Sequence, residues 1–152
     1  MKKYAVFHGT ADLYAYFIER GVSLLNDTGR FGYIIANKWM RANYAKPLRS
    51  WLSQNPVSRI VDFGDLPVFK DATTYPCILF VDKTASRSFL NAANIKTLDF
   101  TDLSNHVADC QFRVNKTALN DNGWTLVDET AWNLMEKIRK AGIHLGEYVD
   151  KK

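Results

Sequence analysis

Cysteine is scarce in this sequence, since only Cys77 and Cys110 occur among its 152 residues. Cys77 lies in an apolar, strand-like run and Cys110 in an alternating run, which predicts two buried free thiols rather than a disulfide. Neither a Cys-x-x-Cys nor a His-x-x-x-His spacing is present, so the patterns that indicate a metal site are missing. We therefore expect neither a disulfide nor a metal centre.

Long apolar runs are also missing, because no stretch approaches the roughly 18 residues of a membrane-spanning helix. The amino-terminal MKKYAVFHG carries two lysines but no apolar segment of a secretory signal. We therefore expect a cytoplasmic protein without a membrane partner. Positive charge is only slightly in excess, with a net charge of +4. A charge of this size permits nucleic-acid binding but does not argue strongly for it.

Catalytic signatures are incomplete as well. His8, His106 and His144 lie far apart in the sequence, and none is near a serine or cysteine nucleophile motif. Residues 62–64 spell the Asp-Phe-Gly triplet of kinases, but no Gly-rich loop or His-Arg-Asp accompanies them, so coincidence is the better interpretation. Taken alone, the residues assign no catalytic group.

An alternation of helical and strand-like segments is what the sequence does contain. Apolar periodicity and turn residues predict helices over residues 11–25, 45–54 and 129–141, and strands over 31–36, 57–63, 77–81, 95–100 and 108–114. We expect Thr10 to cap the first helix, with Leu13, Phe17, Leu24 and Leu25 on its buried face and Ile18 and Val22 beside them. The order predicts an α/β domain with a largely parallel sheet. Strands 57–63 and 77–81 should be antiparallel, because no helix links them.

The loop between those two strands is a candidate binding site. Loops longer than about 12 residues without structure of their own are usually functional or disordered, and this one is too apolar to be disordered. It contains Phe69 and Tyr75, which can line a site or simply pack in the core. The residues alone leave both interpretations open.

A second candidate follows the strand 31–36. Asn37, Lys38 and Trp39 come directly after it, and ligands of open α/β sheets bind beyond the carboxyl ends of strands. The alternative is a surface loop with one packed tryptophan. A basic stretch in the same region can contact phosphates or form a solvated helix face, and consists of Lys38, Arg41, Lys46 and Arg49.

Four sequence blocks, taken together, resemble a known family. They are TADLYAYFIERGVSLL (residues 10–25), GRFGYIIANKWMRANY (29–44), VSRIVDFGDLPVF (57–69) and ATTYPCILFV (72–81). In order and spacing they are similar to motifs V to VIII of the gamma-class N6-adenine DNA methyltransferases, in the type IIG branch fused to restriction activity. The resemblance covers about residues 4–85, and the later segment 124–149 resembles the region leading into that family's target-recognition domain.

The resemblance implies a fold and a division of the chain. The fold is part of a class-I AdoMet-dependent methyltransferase, a Rossmann-like α/β mixed sheet with flanking helices, plus an α+β carboxy-terminal extension. Residues 1–85 would form the second half of the catalytic domain, and residues 86–152 the extension toward target recognition. The family's Gly-rich loop and Asn-Pro-Pro-Tyr motif precede the first block and do not occur here. We therefore expect an internal fragment that has no catalytic residue and is inactive alone.

Residue roles follow from the same resemblance. An enzyme that methylates adenine must extrude the base and hold it between π-faces. The implied target-base pocket consists of Phe69, Tyr75, Asn37 and Trp39. Phe17 matches an apolar contact to the adenine of S-adenosyl-L-methionine, the cofactor of the parent protein, which this fragment would bind weakly or not at all. Charge, rather than a motif, adds Lys38, Arg41 and Lys46 as DNA-binding residues.

The implied function of the parent is methyl transfer from S-adenosyl-L-methionine to adenine N6 in double-stranded DNA, within a type II restriction–modification enzyme. One alternative is a non-catalytic DNA-binding or interaction module derived from the methyltransferase fold. Another is an unrelated α/β binding domain. Strand 31–36 would also lack its partner in the complete sheet, so we expect self-association through the exposed apolar edge or through exposed helix faces.

Overall fold

The computed structural model describes residues 3–143 together with residues 148 and 149. Five strands form one sheet: β1 (Arg30–Ala36), β2 (Val57–Asp62), β3 (Pro76–Asp82), β4 (Phe89–Asn94) and β5 (Gln111–Asn115). The helices are α1 (Leu13–Ser23), α2 (Lys46–Ser53), α3 (Leu103–Cys110) and α4 (Glu129–Ala141), with short 3-10 turns at Asn37–Met40, Asn43–Ala45 and Lys116–Ala118. His144 lies outside the described residues.

The strands are ordered β1-β3-β2-β4-β5. β3 runs antiparallel to both β1 and β2, and β5 runs antiparallel to β4, so only the pair β2–β4 is parallel. The predicted antiparallel pairing of the second and third strands is confirmed. The expectation of a largely parallel sheet is wrong, because β3 turns back between β1 and β2 without a crossover helix. Strands from both sides of the expected boundary at residue 85 belong to this sheet.

Two apolar clusters lie on the sheet. The larger cluster includes buried residues of α1 and α2, among them Ile18 and Leu52. The smaller one includes Val61 of β2 and Val107 of α3. In the described part of the chain, no helix is both long enough and apolar enough to cross a membrane.

The first helix differs from its prediction at both its cap and its buried face. It begins at Leu13, after Asp12 rather than Thr10, and Asp12 makes no capping hydrogen bond. Its buried stripe consists of Ala15, Ile18 and Val22. One narrow stripe of α1 can face the sheet, and these small or branched residues occupy it. Three residues expected on the buried face are therefore exposed, namely Leu13, Phe17 and Leu24, whereas Ile18 and Val22, expected beside that face, are buried.

The second half of the chain contains a helix that the sequence pattern missed. Residues 103–110 form α3, and β4 lies at 89–94 rather than 95–100. The overlooked signal is Asp102, whose carboxylate accepts a hydrogen bond from the Asn105 N–H at 2.7 Å and caps α3. The last helix is confirmed, because the Asp128 carboxylate caps it by accepting from the Ala131 N–H at 2.8 Å.

Candidate functional site

One end of the sheet gathers several of the predicted site residues. β1 and β2 both finish at this end, and antiparallel β3 starts there, because Ala36 pairs with Pro76 and Asp62 pairs with Cys77. Residues that follow β1 and β2 therefore meet residues that precede β3. We refer to residues 64–75, which connect β2 to β3, as the β2–β3 loop.

Asn37 connects the ends of three strands. Its side-chain Nδ2 donates hydrogen bonds to Asp62 Oδ1 at 2.8 Å and to the Gly64 carbonyl at 3.3 Å. Its backbone N–H donates to the Tyr75 carbonyl at 2.7 Å. Asp62 Oδ1 also accepts from the Gly64 N–H at 3.0 Å. Asn37 thus contacts both ends of the β2–β3 loop.

Phe69 and Tyr75 lie on the surface of this loop. Phe69 is 43% exposed and Tyr75 is 52% exposed, so neither is a core aromatic. A cavity of about 440 Å³ is lined by residues 65–67 and 69–75. Exposed aromatic rings beside a cavity offer apolar faces on which a planar ligand can stack.

Trp39 lies beneath this end of the sheet rather than on its surface. Its ring is fully buried, and its Nε1 donates to Cys77 Sγ at 3.4 Å. It also packs edge-on against Trp124, with ring centroids 5.2 Å apart. The 3-10 turn after β1 directs Trp39 into the core, so in this structure Trp39 has no surface on which a base can stack. Burial also raises the pKa of the Cys77 thiol to about 12.

Lys38 belongs to a polar cluster at the start of α1. Its Nζ lies 2.8 Å from Asp12 Oδ2, and the Tyr44 hydroxyl donates to the same oxygen at 3.1 Å. The hydrogen bond from Lys38 lowers the pKa of the Asp12 carboxyl, and the same bond raises the pKa of Lys38. Burial raises the pKa of Tyr14, whose hydroxyl lies 3.0 Å from that of Tyr44. Lys38 is therefore an ion-paired cation.

Arg49 is the one member of the basic stretch that the structure removes from the surface. It is fully buried, and burial lowers the pKa of its guanidinium. The guanidinium donates to three backbone carbonyls, those of Trp39, Ala42 and Asp121. The interpretation of Arg49 as a phosphate-binding residue is wrong, whereas Arg41 and Lys46 are exposed.

A second cleft, of about 320 Å³, opens at the same end of the sheet, where β4 also finishes. Arg41 and Lys96 line it together with Asn94, whose Nδ2 donates to the Leu126 carbonyl at 3.1 Å. No ion pair in the described residues involves Arg41 or Lys96. The sequence pattern does not identify Lys96 because it predicts a strand over residues 95–100, whereas β4 ends at Asn94, two residues before Lys96.

Phe17 is separate from both clefts. Its ring is 57% exposed on the face of α1 that points away from the sheet, and it lines neither cavity. Leu13 and Leu24 share that exposed face. The structure therefore places Phe69 and Tyr75 on the β2–β3 loop and Asn37 in contact with the ends of that loop, but it does not bring Phe17 to them.

Comparison with known proteins shows similarity to a family in the amino-terminal part. Residues 1–69 match the family described as Eco57I restriction-modification methylase. The chain is 37% identical over 89 residues to the type II restriction enzyme and methyltransferase RM.Eco57I of Escherichia coli, covering 58% of this chain and 9% of that protein. It is 32% identical over 105 residues to the type II methyltransferase M.PaeR7I of Pseudomonas aeruginosa, covering 63% of this chain and 18% of that protein. The chain thus spans less than a fifth of the length of either relative.

A solved structure shares the fold. The type IIG restriction endonuclease BpuSI is similar with a TM-score of 0.56 and 15% identity, over 73% of this chain and 15% of that one. At that identity the likeness bears on the fold alone. It confirms the predicted fold class, a mixed α/β sheet with flanking helices.

Proposed function

Because the resemblance to restriction–modification methyltransferases is confirmed over residues 1–69, we propose that this chain is a segment of an adenine-specific DNA methyltransferase. In the parent protein, a methyl group would pass from S-adenosyl-L-methionine to adenine N6 in double-stranded DNA. This segment would form one wall of the target-base pocket. The observation that carries the proposal is the exposure of Phe69 and Tyr75 on one loop at the strand ends.

The chemistry explains why such a wall is needed. A base inside a duplex cannot reach an active site, so an enzyme that modifies it takes it out of the stack. Extrusion costs stacking energy, and an aromatic side chain against the base offsets about 1–3 kcal/mol of that cost. Phe69 and Tyr75 lie beside one cavity and present exposed rings, as this role requires. The Asn37 side chain contacts the same loop at its start, where it donates to the Gly64 carbonyl.

The DNA backbone would be contacted by the exposed cations at the same end of the sheet. Arg41 and Lys96 line one cleft, and Lys46 is exposed at the start of α2. Neutralising phosphates with such side chains releases counterions, which makes binding weaker as salt rises. Lys38 would contribute less, since it contacts a phosphate only by giving up its ion pair with Asp12.

S-adenosyl-L-methionine fits this chain only in part. Bound in the parent, the cofactor supplies the methyl group. The exposed Phe17 ring offers an apolar surface for its adenine, but Phe17 lines neither of the two clefts at the strand ends. We therefore assign Phe17 an apolar contact, assign no catalytic residue to this chain, and expect weak cofactor binding and no methylation by the chain alone.

The remaining roles are proposals on the same basis. Residues 86–152 would extend the methyltransferase sheet toward a target-recognition domain, although β4 and β5 remain part of that sheet. A protein that acts on chromosomal or invading DNA would work in the cytoplasm.

A duplex with an unpaired adenine tests the proposed base wall without requiring the recognition sequence. The test measures the affinity of the chain for a short duplex carrying 2-aminopurine opposite an abasic site and for the fully paired duplex. We expect the wild-type chain to bind the unpaired duplex at least about fivefold more tightly, the factor that corresponds to about 1 kcal/mol, the lower end of the range for one stacking contact.

Substitutions identify the side chain responsible. Phe69→Ala or Tyr75→Ala should abolish most of this preference, whereas Phe7→Ala, which removes an exposed phenylalanine elsewhere, should retain it. Equal affinity of the wild-type chain for both duplexes contradicts the proposal.

A further inference from the structure

We propose that Asn37 and Asp62 are positioning residues that hold the β2–β3 loop in one orientation from both of its ends. The loop carries Phe69 and Tyr75. Any effect of its orientation on stacking of the target adenine therefore rests on the proposed function. We refer to Asn37 and Asp62, with their hydrogen bonds to the loop, as the clamp. Its effect on the loop is testable without DNA.

Asn37, which directly follows β1, forms hydrogen bonds with the first and the last residue of the β2–β3 loop. Asn37 donates through its side chain to Gly64, the first loop residue, at 3.3 Å. Through its backbone N–H it donates to Tyr75, the last loop residue, at 2.7 Å. The third bond, from Asn37 Nδ2 to Asp62 Oδ1 at 2.8 Å, anchors the side chain itself. Asn37 therefore contacts the loop both where it leaves the sheet and where it returns, beside the backbone bond from the Phe63 N–H to the Pro76 carbonyl at 3.1 Å.

Little else fixes the direction of the loop by hydrogen bonding. Its backbone bonds are local, such as the Val68 N–H to the Leu66 carbonyl at 2.9 Å and the Thr74 N–H to the Ala72 carbonyl at 2.9 Å. Leu66 and Val68 pack on the smaller apolar cluster and hold the first part of the loop. The orientation of the remaining part, which includes Phe69, depends on how the loop ends are held.

The residue types suit this task chemically. Gly64 has a φ of +58°, which glycine adopts without steric cost, and the Asp62 carboxylate accepts its N–H at 3.0 Å, so the chain reverses directly after β2. The Asn37 amide supplies two N–H donors, one for the Asp62 carboxylate and one for the Gly64 carbonyl. An aspartate at position 37 would instead face a carboxylate and a carbonyl with acceptors only.

Asp62 offers an informative pair of substitutions. Its Oδ1 is the acceptor for both Asn37 Nδ2 and the Gly64 N–H. Asp62→Asn retains an Oδ1 acceptor in the same place, whereas Asp62→Ala removes it. A clamp therefore predicts that the amide variant behaves like the wild type, and that the alanine variant behaves like Asn37→Ala.

Proteolysis measures the loop directly. Lys70 lies exposed within the β2–β3 loop, and Arg87 lies exposed in the connection between β3 and β4. Trypsin cleavage after each residue is followed on the folded chain, with amide hydrogen exchange of residues 64–75 as a second readout. We expect cleavage after Lys70 to become about tenfold faster in Asn37→Ala and Asp62→Ala, because two hydrogen bonds are lost and local opening becomes easier.

Two controls separate loop positioning from general destabilisation. Asp62→Asn should stay within about twofold of the wild type at Lys70. Asn55→Ala removes a similar side-chain hydrogen bond, to the Trp51 carbonyl at 2.8 Å, at the opposite end of β2 and should not change cleavage at Lys70. Cleavage after Arg87 should be unchanged in all variants.

The results distinguish the clamp from the function it would serve. Unchanged cleavage at Lys70 in Asn37→Ala, equal acceleration at Lys70 and Arg87, or an Asp62→Asn variant as labile as Asp62→Ala each overturns the clamp. Selective opening at Lys70 supports it. If the loop opens selectively but the wild-type chain shows no preference for an unpaired adenine, the clamp stands and the proposed function fails.

Discussion

Arg49 is the side chain whose environment departs furthest from its usual one. A guanidinium is normally solvated or paired with a carboxylate, yet Arg49 is fully buried and donates to carbonyls of Trp39, Ala42 and Asp121. These carbonyls belong to the segment after β1 and to a turn more than 70 residues later. Its planar fork makes four hydrogen bonds to these three carbonyls, one more than the three N–H donors of an ammonium group could supply.

Replacing Arg49 should therefore destabilise the whole chain. Arg49→Lys keeps the charge but loses the fork, leaving buried carbonyls without donors, and should lower the free energy of unfolding by about 2–3 kcal/mol. Urea denaturation followed by circular dichroism measures this change. Arg59→Lys, at an exposed position of β2, should change stability by less than about 0.5 kcal/mol. Equal effects of the two substitutions would show that the buried hydrogen bonds of Arg49 contribute little.

At the scale of elements, α1 and β1 each present apolar surface that the described chain does not cover. Leu13, Phe17 and Leu24 line the outer side of α1, and Ile34 of β1 is 45% exposed. β1 is also an edge strand, paired only with β3 in the described residues. Open apolar edges are sites at which another chain can pair. Self-association through β1 therefore remains our prediction.

A charge placed on this strand should weaken the association. In Ile34→Lys, two copies that pair through β1 bring like charges together, so the dimerisation constant should fall at least about tenfold. Sedimentation velocity across a concentration series measures it. Leu134→Lys, at a comparably exposed position on α4, serves as the matched control. A wild-type chain that stays monomeric at the highest concentration refutes association through this edge.

At the scale of the whole molecule, residues after position 85 contribute to the sheet and to the apolar core that residues 1–85 form. β4 pairs in parallel with β2, and its Leu90 and Ala92 are buried in the larger apolar cluster. Trp124 contacts the first half of the chain, where its backbone N–H donates to the Met40 carbonyl at 2.9 Å. The amino-terminal region with family similarity and the later region thus share one core.

A chain ending at residue 85 should consequently fail to fold cooperatively. It would expose the edge of β2 and leave Trp39 without Trp124, removing the apolar burial on which stability depends. Thermal unfolding monitored by near-ultraviolet circular dichroism should show no cooperative transition, in contrast to the 152-residue chain. A sharp transition of the shorter chain would mean that residues 1–85 are an independent folding unit.

Local sequence signals predicted much of the fold, and they failed where a helix or a side chain had alternative partners. The cap at Asp128 and the strands around the β2–β3 loop were predicted correctly because their signals lie within a few residues. The cap at Asp102 was equally local but was outweighed by the alternating pattern of residues 108–114. Thr10 failed as a cap because the helix starts later, at Leu13, where the preceding Asp12 binds Lys38 instead.

Consecutive residues are sufficient to predict the order of the first strands and the resemblance to a family, because apolar runs and motif order are local properties. The burial of Trp39 and Arg49, and the contacts of Asn37 with both ends of the β2–β3 loop, depend on the folded structure. The Asn37–Asp62 bond spans 25 positions and the Arg49–Asp121 bond spans 72. Such contacts form only when the sheet brings distant segments together, and no local pattern records them.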